Sequence, residues 1–193
     1  MFMCINEYVF FFFFFNFSPK IYLRIYMGRR YDIENVEGLK ACNIKALVIC
    51  CTYFEYPDHK VPNGYANLRI NLEDMGLERI SAYFEESNNF IHSHISQEQA
   101  VLISCCQGVS RSSTISIAYL MGKQNFFLNE AFSFIMQKKN ICPNIGFIEQ
   151  LCEYEKILKN KITFSSKKYI NWFTSDMCGN NAITDFSIEC KKK

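Results

Sequence analysis

The chain has 193 residues, of which 49% are hydrophobic, enough for one domain with a full core and short extensions. Its formal charge of +2 is too small to point to nucleic acid as a partner. The excess sits at one end, since residues 161–193 carry a net +3 and residues 1–160 a net −1.

An unbroken run from Phe10 to Phe15 comes first, flanked by Val9 and Phe17. It is about ten residues long, short of the roughly 20 that a bilayer span needs. Residues 1–17 are therefore read as an extension outside the fold, with a signal core or a membrane-surface anchor as alternatives. Ser18-Pro19 opens the domain, expected over 18–160. Residues 21–27 are rich in β-branched and aromatic side chains and stop at Gly28, which predicts a strand. A short helix follows over 32–42, with Asp32 as a candidate cap. The apolar run from Ile44 to Cys51 predicts a strand buried on both faces. Pro57, Pro62 and Asn63-Gly64 predict a loop. Leu68 to Leu72 alternates as a strand. After Asp74, the spacing of Ile80, Tyr83, Phe84, Phe90, Ile91 and Ile95 predicts a helix. Ala100 to Ile103 is an apolar strand, and Ser110 or Arg111 to Lys123 a helix. Two more helices follow, one capped by Asn129 and running to Lys139, the other over 145–159. Residues 161–193 show no sustained periodicity and are expected to form a loose basic tail, with Trp172 tacking it to the domain. Strands alternating with helices and then giving way to helices predict a single α/β domain, with a small, mostly parallel central sheet flanked by helices.

The ten cysteines, at positions 4, 42, 50, 51, 105, 106, 142, 152, 178 and 190, lack regular spacing and contain no C-x-x-C pair. Free thiols in a reducing compartment are expected, the cytoplasm or alternatively the nucleus. Cys178 and Cys190 would need ligands from elsewhere to hold a metal, and no metal site is expected. His59, His92 and His94 lie in no motif.

Chemistry concentrates in Val101-Leu102-Ile103-Ser104-Cys105-Cys106-Gln107-Gly108-Val109-Ser110-Arg111-Ser112-Ser113. A buried strand runs into a polar loop, and the loop into a helix. Such a loop turns its N–H groups inward, and the helix N-terminus adds free donors and the positive end of its dipole, forming an anion site suited to phosphate. The candidate phosphate-binding residues are Cys106, Gln107, Gly108, Val109, Ser110 and Arg111. Gly108 permits the tight turn. Arg111, six residues past Cys105, can fold back as a bidentate clamp on two phosphate oxygens. The same positive field favours a thiolate at Cys105, and the thiolate is the nucleophile.

The run Cys105-x-x-Gly108-x-x-Arg111-Ser112 resembles the signature loop of protein tyrosine phosphatases. The wider resemblance, over about residues 20–160, is to their dual-specificity subgroup. It is carried by Ser110-Arg111-Ser112-Ser113-Thr114, Ala118-Tyr119-Leu120-Met121, Ala131-Phe132, Pro143-Asn144-x-Gly146-Phe147-x-x-Gln150-Leu151, and by Tyr26-Met27-Gly28 upstream. Ile70-Asn71-Leu72-Glu73-Asp74, followed by Ile80-Ser81-x-Tyr83-Phe84, looks like the subgroup's general-acid loop and the helix after it. The resemblance implies a phosphocysteine formed on Cys105, with Asp74 as acid and then base, Arg111 and the loop amides on the phosphoryl oxygens, and Ser112 assisting release of the thiolate. It implies no cofactor and no metal. Glu73 is the alternative acid, and Asp74 as a helix cap is the plain structural alternative.

One departure stands out. The family usually has His before the nucleophile, and this chain has Ser104. A hydroxyl cannot carry the imidazole's charge, so a less acidic Cys105 and a slower enzyme are expected. Cys50 or Cys51, at the end of a neighbouring strand, could form a protective disulfide with Cys105, although ordinary buried thiols are the simpler expectation. The partners expected are phosphorylated proteins, with kinases among them, and membrane contact through the Phe run is the remote option. The rival to an enzyme is a phosphatase-like module that binds phosphoproteins with little turnover. RNA 5′-phosphates, phosphoinositides or sugar phosphates stand third.

Overall fold

A computed structural model of the chain describes residues 17–176 and residue 186. Its strands are β1 (Lys20–Tyr22), β2 (Ile25–Arg29), β3 (Ile44–Cys50), β4 (Ala66–Arg69) and β5 (Ala100–Cys105). Its α-helices are α1 (Val36–Ala41), α2 (Phe84–Ser96), α3 (Arg111–Gln124), α4 (Leu128–Met136), α5 (Ile145–Lys159) and α6 (Ser166–Asp176). The strands form one sheet in the order β1-β2-β5-β3-β4. β1 pairs antiparallel with β2, and every other pairing is parallel. This is the α/β architecture expected from the alternation of strands and helices.

Burial follows from the apolar runs. Every residue of β5 is buried, as is every residue of β3 except Lys45, because helices cover both faces of a parallel sheet. α3 starts where the β5 loop ends and is buried from Arg111 through Met121. A helix this deeply placed must satisfy its polar side chains internally, and it does so by bonding back to its own turns. Ser113 Oγ donates to the carbonyls of Val109 and Ser110, Thr114 Oγ1 to that of Ser110, and Ser116 Oγ to that of Ser112.

Several boundaries differ from the expectation, each for a local reason. The strand expected over 21–27 is broken at Leu23, whose φ of +30° turns the chain back to pair β1 with β2. Asp32 does not cap α1; it closes the 3-10 turn Arg30–Ile33 before it. Its carboxylate accepts the Arg29 N–H at 2.7 Å and the Ser18 hydroxyl at 2.8 Å, while Asn35 caps α1 through the Gly38 N–H at 2.9 Å. β4 ends at Arg69 rather than Leu72, because the Leu72 carbonyl is turned toward Arg111 instead of a neighbouring strand. α4 begins one residue before Asn129, with the Glu130 carboxylate accepting the Phe127 N–H, and stops at Met136.

Two terminal expectations need correction. Phe17 is not outside the fold; it packs against the core, its ring centroid 6.3 Å from that of Tyr26. The rest of the Phe run, and with it the suggestion of membrane contact, falls outside the described residues. The segment after Lys161 is not loose where it is described. It forms α6, and Phe164, Tyr169, Trp172 and Phe186 are buried around Phe132 of α4. Aromatic side chains bury large areas, and Tyr169, Trp172 and Phe173, at helical spacing, hold the segment to the domain. Among the described residues, no helix is long and apolar enough to cross a membrane. Cys42, Cys50, Cys51, Cys105, Cys106 and Cys152 are free thiols, whereas Cys142 departs from the expectation and is disulfide-bonded.

Candidate active site

The site forms at the carboxyl end of the parallel strands, where β5 delivers Cys105 and the loop 106–110 delivers Arg111 to the first turn of α3. Gly108 has φ +70°, and a Cβ there would stand 2.6 Å from the Gly28 carbonyl oxygen. Only glycine meets both demands, so the loop can press against the end of β2. The turn brings the Gly108 N–H to 3.2 Å from Cys105 Sγ. Ser112 Oγ lies 3.3 Å from the same sulfur. Cys105 is 1% exposed, at the floor of a cleft of about 620 Å³. Glu55, Asp74, Cys106, Gln107, Val109, Ser110 and Arg111 also line this cleft.

Arg111 is set by a residue that reading the sequence did not single out. Glu55, in the loop after β3, accepts from Arg111 Nη1 at 2.6 Å and from Nη2 at 2.9 Å. Nη1 also donates to the Leu72 carbonyl at 3.0 Å. A guanidinium carries five N–H groups. Both on Nη1 and one on Nη2 are therefore committed. The remaining two, on Nε and Nη2, share one edge of the fork. Nε is buried without a hydrogen-bond partner among the described residues. Burial alone would raise the Glu55 carboxyl, but Arg111 and the Thr52 N–H outweigh it and hold it at about 2. Burial works against a charged Arg111 as well, and Glu55 more than restores it.

Asp74 is placed by two contacts to the loop and to the start of α5. Its Oδ1 accepts from Ser110 Oγ at 2.6 Å and from Asn144 Nδ2 at 2.8 Å. Its Oδ2 lies 3.7 Å from Arg111 Nε. Asn144 is the N-cap of α5, its side-chain oxygen accepting the Phe147 N–H, and its own N–H donates to Ser110 Oγ. Asp74, Ser110, Arg111 and Asn144 thus converge on one side of the cleft. Glu73, the alternative acid, is not among the residues that line it. The role of Asn144 was hidden because a helix cap in Pro143-Asn144 is sufficient reason for the residue; only the fold brings it to Asp74, 70 positions away.

Ser104 is fully buried, and its hydroxyl approaches the Val48 carbonyl oxygen at 3.5 Å. Cys50 lies opposite Cys105 in the β3–β5 register. Cys51 Sγ is 3.9 Å from that of Cys106. Burial pushes both of these thiols up, and Cys50 as well.

Comparison with known proteins gives a consistent result. A family model described as the dual specificity phosphatase catalytic domain matches residues 25–157. Human dual specificity protein phosphatase 16 is 33% identical over 155 residues, covering 79% of this chain and 23% of its own. Human dual specificity protein phosphatase 9 is 34% identical over 146 residues, covering 75% of this chain and 38% of its own. The chain therefore spans only a quarter to two fifths of these relatives' length. Among solved structures, human DUSP28 aligns with a TM-score of 0.69 at 24% identity, covering 74% of this chain and 95% of that one. A human tyrosine phosphatase-like serine/threonine/tyrosine-interacting protein aligns at 0.67 with 24% identity, covering 72% and 96%. At that identity these two structures speak to the fold alone.

Proposed function

Since the chain belongs to the dual-specificity phosphatase family, we propose that it hydrolyses phosphotyrosine and phosphoserine or phosphothreonine in proteins through a phosphocysteine intermediate. The observation that carries this reading is the unfilled edge of Arg111. Its Nε is buried without a hydrogen-bond partner, with the Asp74 carboxylate 3.7 Å away, in the cleft that Cys105 also lines. A buried donor without a partner is costly, and a phosphoryl group satisfies it.

In this reading Cys105 Sγ, as thiolate, attacks phosphorus while the bond to the leaving oxygen breaks and Asp74 transfers a proton to that oxygen. Water then attacks the phosphocysteine, Asp74 takes its proton, the S–P bond breaks, and inorganic phosphate departs. Nε and the free N–H of Nη2 on Arg111 hold two phosphoryl oxygens, and the loop amides other than that of Gly108, which is given to Cys105 Sγ, serve the rest. The 3.3 Å contact to Ser112 Oγ suits it to stabilise the departing thiolate in the second step. No cofactor or metal enters these steps. Location in the cytoplasm or nucleus, phosphoprotein substrates, kinases among the partners, and a catalytic unit over 18–160 belong to the same proposal.

The test is turnover of a small aryl phosphate. Wild type is expected to hydrolyse it, and Cys105→Ser to lose about a thousandfold or more. Asp74→Asn is expected to lower kcat by about 10²–10⁴-fold, least for the best leaving groups. Equal rates in wild type and Cys105→Ser, or none in either, would overturn the proposal. Ser104 favours a second reading, a phosphoprotein-binding module, because its hydroxyl makes only a long contact where the family has an imidazole. Phosphopeptide binding without turnover, together with turnover gained by Ser104→His, would support that reading.

A further inference from the structure

Cys51, Glu55 and Cys106 form a cluster in which two sulfurs and a carboxylate oxygen all lie within 4.8 Å of one another. Three separate pieces of backbone bring them together: the end of β3, the loop after it, and the residue following β5. The two sulfurs are 3.9 Å apart. Two thiolates bound to one tetrahedral zinc, each at about 2.3 Å, stand about 3.8 Å apart. The pair is therefore already at the spacing of a tetrahedral edge, and both thiols are free. A carboxylate oxygen of Glu55 lies within 4.8 Å of both sulfurs. Cys106 and Glu55 line the cleft, which gives an ion a route from solvent, while Cys51 closes the cluster from behind.

Charge permits the same occupant. Arg30 Nη1 lies 3.8 Å from Cys106 Sγ, and Arg111 holds Glu55. Two thiolates and a carboxylate around a divalent cation carry one net negative charge, which these two guanidinium groups offset. We propose that Cys51, Cys106 and Glu55 form a regulatory site for zinc or another thiophilic divalent cation. Binding forms two metal–sulfur bonds and one metal–oxygen bond and releases two thiol protons to solvent, with water completing the tetrahedron. No oxidation takes place.

The consequence for turnover follows from the role of Glu55. A carboxylate oxygen drawn to the ion leaves Arg111, and the clamp loses the partner that orients it. Metal uptake should therefore inhibit. This consequence rests on the proposed hydrolysis; the binding itself does not.

The experiment titrates the purified, reduced full chain with cobalt and then zinc. One equivalent of cobalt is expected to produce a thiolate-to-metal charge-transfer absorption, and zinc to abolish it by displacement. Cys51→Ser and Cys51→Ala should both lose the absorption and weaken zinc binding by at least about tenfold, measured by competition with a chelating dye. Both should keep aryl phosphate turnover without metal, which also shows that they fold. Wild-type turnover should fall with zinc and return with chelator, and the Cys51 variants should need about tenfold more zinc or above. Cys105→Ser should retain the full absorption. Its loss there would put the ion on the nucleophile and overturn the proposal, as would an unchanged band in both Cys51 variants or no band in wild type. The cobalt arm gives its answer even if the chain hydrolyses nothing.

Discussion

At the scale of single residues, the placement of Arg111 depends on a carboxylate rather than on the arginine alone. Arg111 is buried, and a buried guanidinium without its counter-charge would lose both orientation and charge compensation. Glu55→Gln keeps the shape but removes the charge, and is expected to lower kcat/KM for an aryl phosphate by about 10²-fold, chiefly through misplacement of the fork. The same pair sets an acid limit. Glu55 is held down from 4.5 to about 2, so it is ionised in the fold wherever a free glutamate would be. A depressed carboxyl contributes stability that is fully present above its unfolded value and is lost as pH falls toward its folded one. The contribution of the Glu55–Arg111 pair should therefore fade between about pH 4.5 and 2. Thermal denaturation across that range should show a slope in wild type that is reduced in Glu55→Gln.

At the scale of elements, a buried carboxylate ties the helical side together. Glu155 of α5 is fully buried, its Oε1 accepting the Leu128 N–H at 2.7 Å and its Oε2 the Thr163 N–H at 2.7 Å. The Thr163 hydroxyl adds a further bond to Oε1 at 2.6 Å. One side chain thus satisfies the free N-terminus of α4 and fixes the turn into the segment that becomes α6. Glu155→Ala would leave the buried Leu128 N–H without an acceptor and take a partner from the half-buried Thr163, whose hydroxyl keeps Asn129 Oδ1, and is expected to destabilise the protein by about 1–3 kcal/mol. Equilibrium denaturation in urea would measure this. α6 in turn reaches the site: the Tyr169 hydroxyl donates to the Pro143 carbonyl, next to the Asn144 that holds Asp74, and Phe173 lines the cleft. The aromatic cluster is therefore part of what steadies the wall of the site.

At the scale of the whole molecule, the sheet gathers one strand end and three loops around one cleft. Parallel strands point their carboxyl ends the same way, so Cys105 after β5 and Glu55 after β3 meet, and the chain leaving β4 brings Asp74. A ligand that binds only this assembled arrangement stabilises the fold by mass action. Phosphate or vanadate at 100 times its Kd should add about 2.7 kcal/mol, raising Tm by about 5–10 °C for a domain of this size. A fluorescence-monitored melt would read the shift, and Arg111→Ala should abolish it.

What the amino-acid order determined by itself is local in nature. The Cys105–Arg111 spacing, the glycine in the turn and the apolar strand before it act within a dozen residues, so the loop could be read directly. α5 is legible for a similar reason, since its apolar face repeats, and its observed bounds are those expected. The tertiary structure decided the rest. Glu55 stands 56 positions from Arg111, in a loop whose prolines and glycine signalled only a turn. Cys51 and Cys106 look unrelated in sequence until β3 and β5 are paired. α6 repeats its rings at helical spacing only over Tyr169, Trp172 and Phe173, too short a stretch to show where it packs. Local patterns record the conformational preferences of neighbouring residues. Partners drawn together by sheet order and by burial leave no such record, because strand pairing, not chain proximity, sets their distance.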